Sequence, residues 1–95
     1  MDCMDSEKLI EKKLKKEVEK LGGLALKFQS SFYTGFPDRI VLTAKTKIYF
    51  VELKSEGKKP TLKQLYVHKV LRGLGFEVFV IDTLDLLEKF ITYIK

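Results

Sequence analysis

The chain lacks most of what would place it outside a reducing compartment or inside a membrane. Its single cysteine, Cys3, excludes an internal disulfide and fits a reducing, cytoplasmic setting. Cys3 sits in a terminus expected to fray and is given no role. No apolar run approaches the roughly 20 residues a membrane helix needs. No apolar segment follows the N-terminal charges, as a signal peptide would require. There is no internal repeat, linker or low-complexity tract, so residues 1–95 read as one small domain. Arginine is scarce too. Only Arg39 and Arg72 occur among 18 basic residues, which leaves 16 lysines.

The charge that is present is mostly lysine, and the net charge is +5. A basic balance favours a polyanionic partner. Arginine's fork reads guanine edges, whereas lysine acts as a point charge, so a lysine surface suits phosphate contacts better than base readout. The lysines between Lys8 and Lys20 alternate with glutamates and apolar residues, which marks a helix surface and not a basic tail.

Periodicity gives the element order α-β-β-β-α-β-α. Residues Asp5 to Leu21 carry Ile10, Leu14, Val18 and Leu21 at helical spacing, and Gly22-Gly23 stops that helix. Leu24, Leu26 and Phe28 alternate with Ala25 and Lys27 as in a strand, and Gln29 to Phe36 is a loop. Two β-rich runs, Asp38 to Ala44 and Lys47 to Lys54, imply an antiparallel hairpin turning at about Lys45-Thr46. Thr61-Leu62-Lys63-Gln64 has the form of a capping box for a helix that ends at Gly73. Phe76 to Ile81 is mostly apolar and is expected to be a central strand. Asp82 or Thr83 then caps a last helix with the stripe Leu87, Phe90, Ile91 and Ile94. A crossover from the hairpin to Phe76 would be right-handed if those strands are parallel. The fold class is α/β, a mixed sheet flanked by helices.

The chemistry collects at one end of the hairpin. Glu52 and Lys54 share a strand face, while Leu53 points the other way into the core. Ile48 and Phe50 also lie on the Glu52 face, so a carboxylate and an ammonium appear where an apolar stretch ends. A Glu-x-Lys alone is common. Asp38 strengthens the case, because antiparallel pairing brings it level with Glu52. Mg²⁺ takes one or two carboxylates and keeps several waters, so Asp38, Glu52 and the Leu53 carbonyl could supply its ligands. On the first helix Glu7 projects within about 25° of the centre of the apolar face, and Glu11 lies about 65° away, at the edge. A buried acid needs a partner or a metal, but a first-turn acid at a helix N-terminus is also simply favourable there. Gln64 fits the capping role and can also face the site. His68 reads as a helix-surface residue.

Gly35-Phe36-Pro37-Asp38-Arg39, then Phe50-Val51-Glu52-Leu53-Lys54, then Gln64, resemble the VRR-NUC family of the PD-(D/E)XK nuclease superfamily. Gly22-Gly23, Gly73-Leu74-Gly75-Phe76 and Phe79-Val80-Ile81-Asp82 resemble it as well. The likeness runs from about Glu7 to the last helix, and the length resembles the minimal phage and bacterial members. It implies a restriction-endonuclease-like core with Asp38 and Glu52 as metal ligands and the Leu53 carbonyl beside them. Lys54 would orient the attacking water, Glu7 would act at the metal, directly or through water, and Gln64 would support the site. Three acids and one amine would then converge on a single cation-sized spot. The family's loop before Pro-Asp is often small. Here it is Ser30-Ser31-Phe32-Tyr33-Thr34, whose aromatics could stack on an unpaired base but read better as a core plug.

The function so implied is Mg²⁺- or Mn²⁺-dependent hydrolysis of DNA phosphodiesters in a bacterial or phage-infected cell. Lys58, Lys59 and Lys63 would grip phosphates without reading sequence. Selectivity would come from DNA shape, at branches or junctions, and a homodimer would match two-fold junctions. The competing reading is a non-catalytic, basic nucleic-acid-binding module on the same fold.

Overall fold

The computed structural model describes residues 4–95, so Cys3 lies outside the described residues. The elements follow in the order expected from periodicity. Helix α1 (Glu7–Lys20) begins where the Ser6 side chain accepts a hydrogen bond from the Leu9 amide and so satisfies one of its orphan donors. Its buried stripe is Ile10, Leu14 and Val18. Gly22 at φ +82° reverses the chain, with Gly22 N–H donating to the Glu19 carbonyl and Gly23 N–H to that of Val18. That pair of bonds closes the helix end. A Cβ on Gly23 would stand 2.4 Å from the Leu42 carbonyl oxygen, so glycine is required for the approach to the sheet.

Strands β1 (Leu24–Lys27), β2 (Arg39–Leu42), β3 (Ile48–Leu53) and β4 (Glu77–Ile81) form one sheet in that spatial order. The β1–β2 and β2–β3 pairs are antiparallel. The β3–β4 pair is parallel and is joined through helix α2 (Leu62–Gly73). Helix α3 (Leu84–Ile94) is capped by Thr83. Helices α1 and α3 cover one sheet face, burying Val41, Val51, Leu53 and Ile81 against Ile10, Leu14, Leu87 and Phe90. Helix α2 covers part of the other face, where Val67 and Leu71 meet Phe50 and Val78. No helix among the described residues is long and apolar enough to cross a membrane.

Three local expectations change. The β2–β3 turn holds three residues, Ala44 to Thr46, inside the Thr43–Lys47 pair. Thr46 takes φ +62°, and Thr43 Oγ1 accepts from the Lys45 and Lys47 amides. Helix α2 includes Gly73, and the reversal falls to Gly75 at φ +98°. Strand β4 is an edge strand, not a central one. It is apolar because α2 and α3 pack on its two faces. The large residues of β1 do not point into the core. Leu24 and Leu26 remain 51% and 44% exposed, and Ile48 at the start of β3 is 46% exposed, because α2 packs on β4 and the Phe50 end of β3 and leaves the rest of that face open.

Candidate active site

The hairpin register carries the site. Arg39 pairs with Val51, which puts Asp38 level with Glu52 one step beyond. Asp38 is held on every side. Its Oδ1 accepts from the Leu53 amide at 3.1 Å, Oδ2 meets Arg39 Nη1 at 3.2 Å, and its carbonyl accepts from the Phe28 amide at 2.9 Å. The carboxylate is therefore bonded across to the β3 backbone beside Glu52.

Glu52 is 3% exposed. It lies on the Phe50 face, and α2 reaches both of its oxygens. Gln64 Nε2 donates to Oε2 at 3.2 Å, and His68 Nε2 lies 3.4 Å from Oε1. Burial raises the Glu52 pKa to about 7, and the neighbouring Asp38 charge adds to the rise; Lys54 opposes it. A carboxylate desolvated beside a second carboxylate disfavours its own charge. Gln64 also completes the capping box, since its Oε1 accepts from the Thr61 amide at 2.9 Å while Thr61 Oγ1 accepts from the Gln64 amide at 3.1 Å. One side chain thus ties the start of α2 to Glu52.

His68 is a correction to the surface reading. It is 0% exposed. Burial lowers its pKa, with the Arg72 and Lys54 charges adding to the effect, so the ring is neutral and its contact with Glu52 is a hydrogen bond, not an ion pair. Nδ1 is buried without a partner among the described residues. An orphan lone pair is easier to tolerate than an orphan N–H, so the proton belongs on Nε2, donated to Glu52. The stripe Gln64, Val67, His68 and Leu71 carried the signal, because it places His68 beside two core residues.

Arg39 was the other omission. It is 4% exposed and meets Glu11 Oε2 at 2.6 Å as well as Asp38. Strand alternation puts Arg39 on the face of buried Val41, and a buried guanidinium needs acids. Glu11, at the edge of the apolar face of α1, is the acid that answers it.

Glu7 is exposed in the first turn, off the end of the core. It lines the same cleft as Asp38, and its charge pushes the Glu52 pKa up a little further. Among the described residues, no three acid, His or Cys side chains gather closely enough to hold a metal ion. Three acids do not converge on one spot; Asp38 and Glu52 stand level as a pair, with the Leu53 amide bonded to Asp38. Lys54 is half-buried one residue beyond Leu53 and enters none of the ion pairs among the described residues. Lys58, Lys59 and Lys63 are exposed. Phe32 and Tyr33 do not plug the core, since Phe32 is fully exposed and Tyr33 is 47% exposed.

No protein-family model matches the chain. A curated protein of Acyrthosiphon pisum secondary endosymbiont phage 1, named "Putative nuclease p44", is 51% identical over 77 residues, covering 81% of this chain and 83% of the relative. A solved structure described as "VRR_NUC domain" superposes with a TM-score of 0.86 at 35% identity, covering 93% of this chain and 96% of the other. The fold and the homologue together define a nuclease. The chain belongs to the VRR-NUC family.

Proposed function

We propose that this nuclease is a divalent-metal-dependent endonuclease that cuts branched or junction DNA as a homodimer. The observation that carries the reading is Glu52: a carboxylate almost without solvent, gripped by Gln64 and His68, and level with Asp38. A buried acid whose ionisation is made costlier by burial and by a neighbouring carboxylate gains from a cation.

The donors suit Mg²⁺ or Mn²⁺. Asp38, Glu52 and the Leu53 carbonyl are hard oxygens, and such ions keep water in their remaining positions. When bound, the ion would polarise the phosphate and lower the pKa of a coordinated water. Lys54 would position that water and meet the charge that develops on the phosphate. His68 and Gln64 are proposed as positioning residues that hold the Glu52 carboxylate toward Asp38, as hydrogen-bonded partners of metal ligands do. Glu7, across the cleft from Asp38, is proposed to act through water. Lys58, Lys59 and Lys63 would hold phosphates. The curated relative is a phage protein, which supports a bacterial cytoplasm as the place of action.

Support for a two-fold assembly comes from the open half-face of the sheet. Leu24, Leu42 and Ile48 are cross-strand neighbours on it, with Leu26 alongside. A contiguous apolar sheet surface of this kind favours a protein partner over water.

The test is cleavage of four-way junctions, flaps and plain duplex in Mg²⁺, Mn²⁺ or chelator, beside sedimentation of the free protein. The expected result is metal-dependent cutting that favours the branched DNAs, by a dimer. Equal cutting of plain duplex by a monomer would remove the structure-selective part. Binding that survives chelator, with no cutting of any DNA, would instead favour the non-catalytic module.

A further inference from the structure

We infer that the loop between β1 and β2 is a stacking site for unpaired bases beside the cut phosphate, so that the preferred substrate is DNA with single-stranded nucleotides at the branch. The inference rests on the endonuclease reading and names the substrate feature that reading leaves open.

The loop is anchored at its base and free at its tip. Phe36 makes edge-on contacts with Phe28 at 5.2 Å, Phe50 at 5.3 Å and Tyr33 at 6.2 Å between ring centres. The Ser30 hydroxyl accepts from the Tyr33 amide at 3.0 Å. Gly35, at φ +85°, lies so close to α2 that a Cβ there would be 2.7 Å from Lys63 Cγ. All of this fixes the loop and leaves Phe32 at its tip fully exposed, in none of the aromatic pairs among the described residues.

Beside the loop lies an open cleft of about 620 Å³ that runs from Phe28 and Tyr33 to Asp38 and also touches Lys8 and Lys27. Glu11 and Arg39 on its wall neutralise each other as an ion pair. That leaves Lys8 and Lys27 for backbone phosphates, aromatic faces for bases, and the Glu7 and Asp38 carboxylates on the side of the proposed point of cutting. Basic groups interleaved with exposed aromatic rings are how proteins hold single strands without reading sequence. A base paired and stacked inside a duplex has no free face to offer Phe32, so the site selects nucleotides already unpaired at flaps, frayed ends or open branch points.

The experiment measures binding in chelator, where cutting cannot interfere. Wild type, Phe32→Ala and Phe32→Trp are each titrated with a blunt duplex and with the same duplex carrying a short single-stranded tail. Expected is a loss of about 5- to 100-fold in affinity of Phe32→Ala for the tailed DNA, with the blunt affinity and the salt dependence unchanged, because no phosphate contact is removed. Phe32→Trp is expected to keep the affinity and to lose indole fluorescence on binding the tailed DNA alone. Equal affinities of wild type and Phe32→Ala for the tailed DNA would overturn the inference. So would a change of oligomeric state in Phe32→Ala, which would assign the ring to a contact between copies. The parent reading fails separately, if wild type cuts no DNA in Mg²⁺ or Mn²⁺.

Discussion

Glu52 is the residue on which the site's electrostatics turn, and its raised pKa has a consequence for stability. Without metal the folded protein holds the Glu52 proton up to about pH 7, whereas an unfolded chain releases it near 4.5. The folded state therefore binds the extra proton between those values, and stability falls as pH rises through that window. Below pH 4.5 the effect is absent. Above pH 7 it is complete, on the order of 3 kcal/mol. In chelator, Glu52→Gln should gain on wild type by that order between pH 4.5 and 8, read from denaturant unfolding. A pH-independent difference would contradict the burial argument. His68→Leu keeps volume but removes the hydrogen bond to Glu52. Its melting temperature should stay within a few degrees of wild type, while activity falls about 10- to 100-fold and the Mg²⁺ needed for half activity rises. His68→Gln should recover part of the loss, which a merely space-filling role would not explain. Asp38 and Glu52 were legible because strand pairing is simple arithmetic. His68 was harder, since a lone histidine on a helix is ordinarily a surface residue and its partner lies 16 residues away in sequence.

At the level of elements, the site depends on how α2 is docked. Its start is set by Thr61 and Gln64, and its side by Gly35, where an added Cβ would stand 2.7 Å from Lys63 Cγ. Gly35→Ala places a Cβ in a left-handed backbone and against Lys63, so it should cost about 1–3 kcal/mol of unfolding free energy. Thermal or denaturant melting checks this, and a neutral substitution would show that the loop can shift off α2 freely. The helices and their order were readable from apolar spacing, together with glycine stops and Ser or Thr caps. The place of β4 was not. A strand sandwiched between two helices is apolar whether it is central or at an edge, so composition could not separate the cases. Nor was the exposure of Leu24 and Leu26 readable, because alternation shows which residues share a face but not which face is covered.

For the whole molecule, the uncovered half of the sheet is a patch that folding of one chain does not explain. Leu26→Glu sits on an exposed position, so its monomer should fold with near-normal stability. Sedimentation should show loss of the proposed dimer, and junction cleavage should fall further than flap cleavage. A variant that stays dimeric would move the interface elsewhere. The net charge of +5, carried almost wholly by lysine, sets a second expectation. Replacing Lys58 and Lys59 together should weaken binding to all DNAs alike and reduce the salt slope by about two. A loss confined to one DNA structure would instead give those lysines a recognition role. Their exposure on a loop was legible from composition, but what they touch was not, since phosphate contacts leave no pattern in the sequence.

The most direct measurement is single-turnover cleavage of a branched DNA in saturating Mg²⁺ by wild type and by Lys54→Ala, with binding of the same DNA measured in parallel. Lys54 is half-buried at the end of β3, outside the core stripe and outside every ion pair among the described residues, so its truncation should spare folding. The expected result is a rate loss of about 100-fold or more with affinity within a few-fold of wild type. Cleavage by Lys54→Ala at the wild-type rate would contradict the account, because the amine beside Asp38 and Glu52 would then play no part in the chemistry.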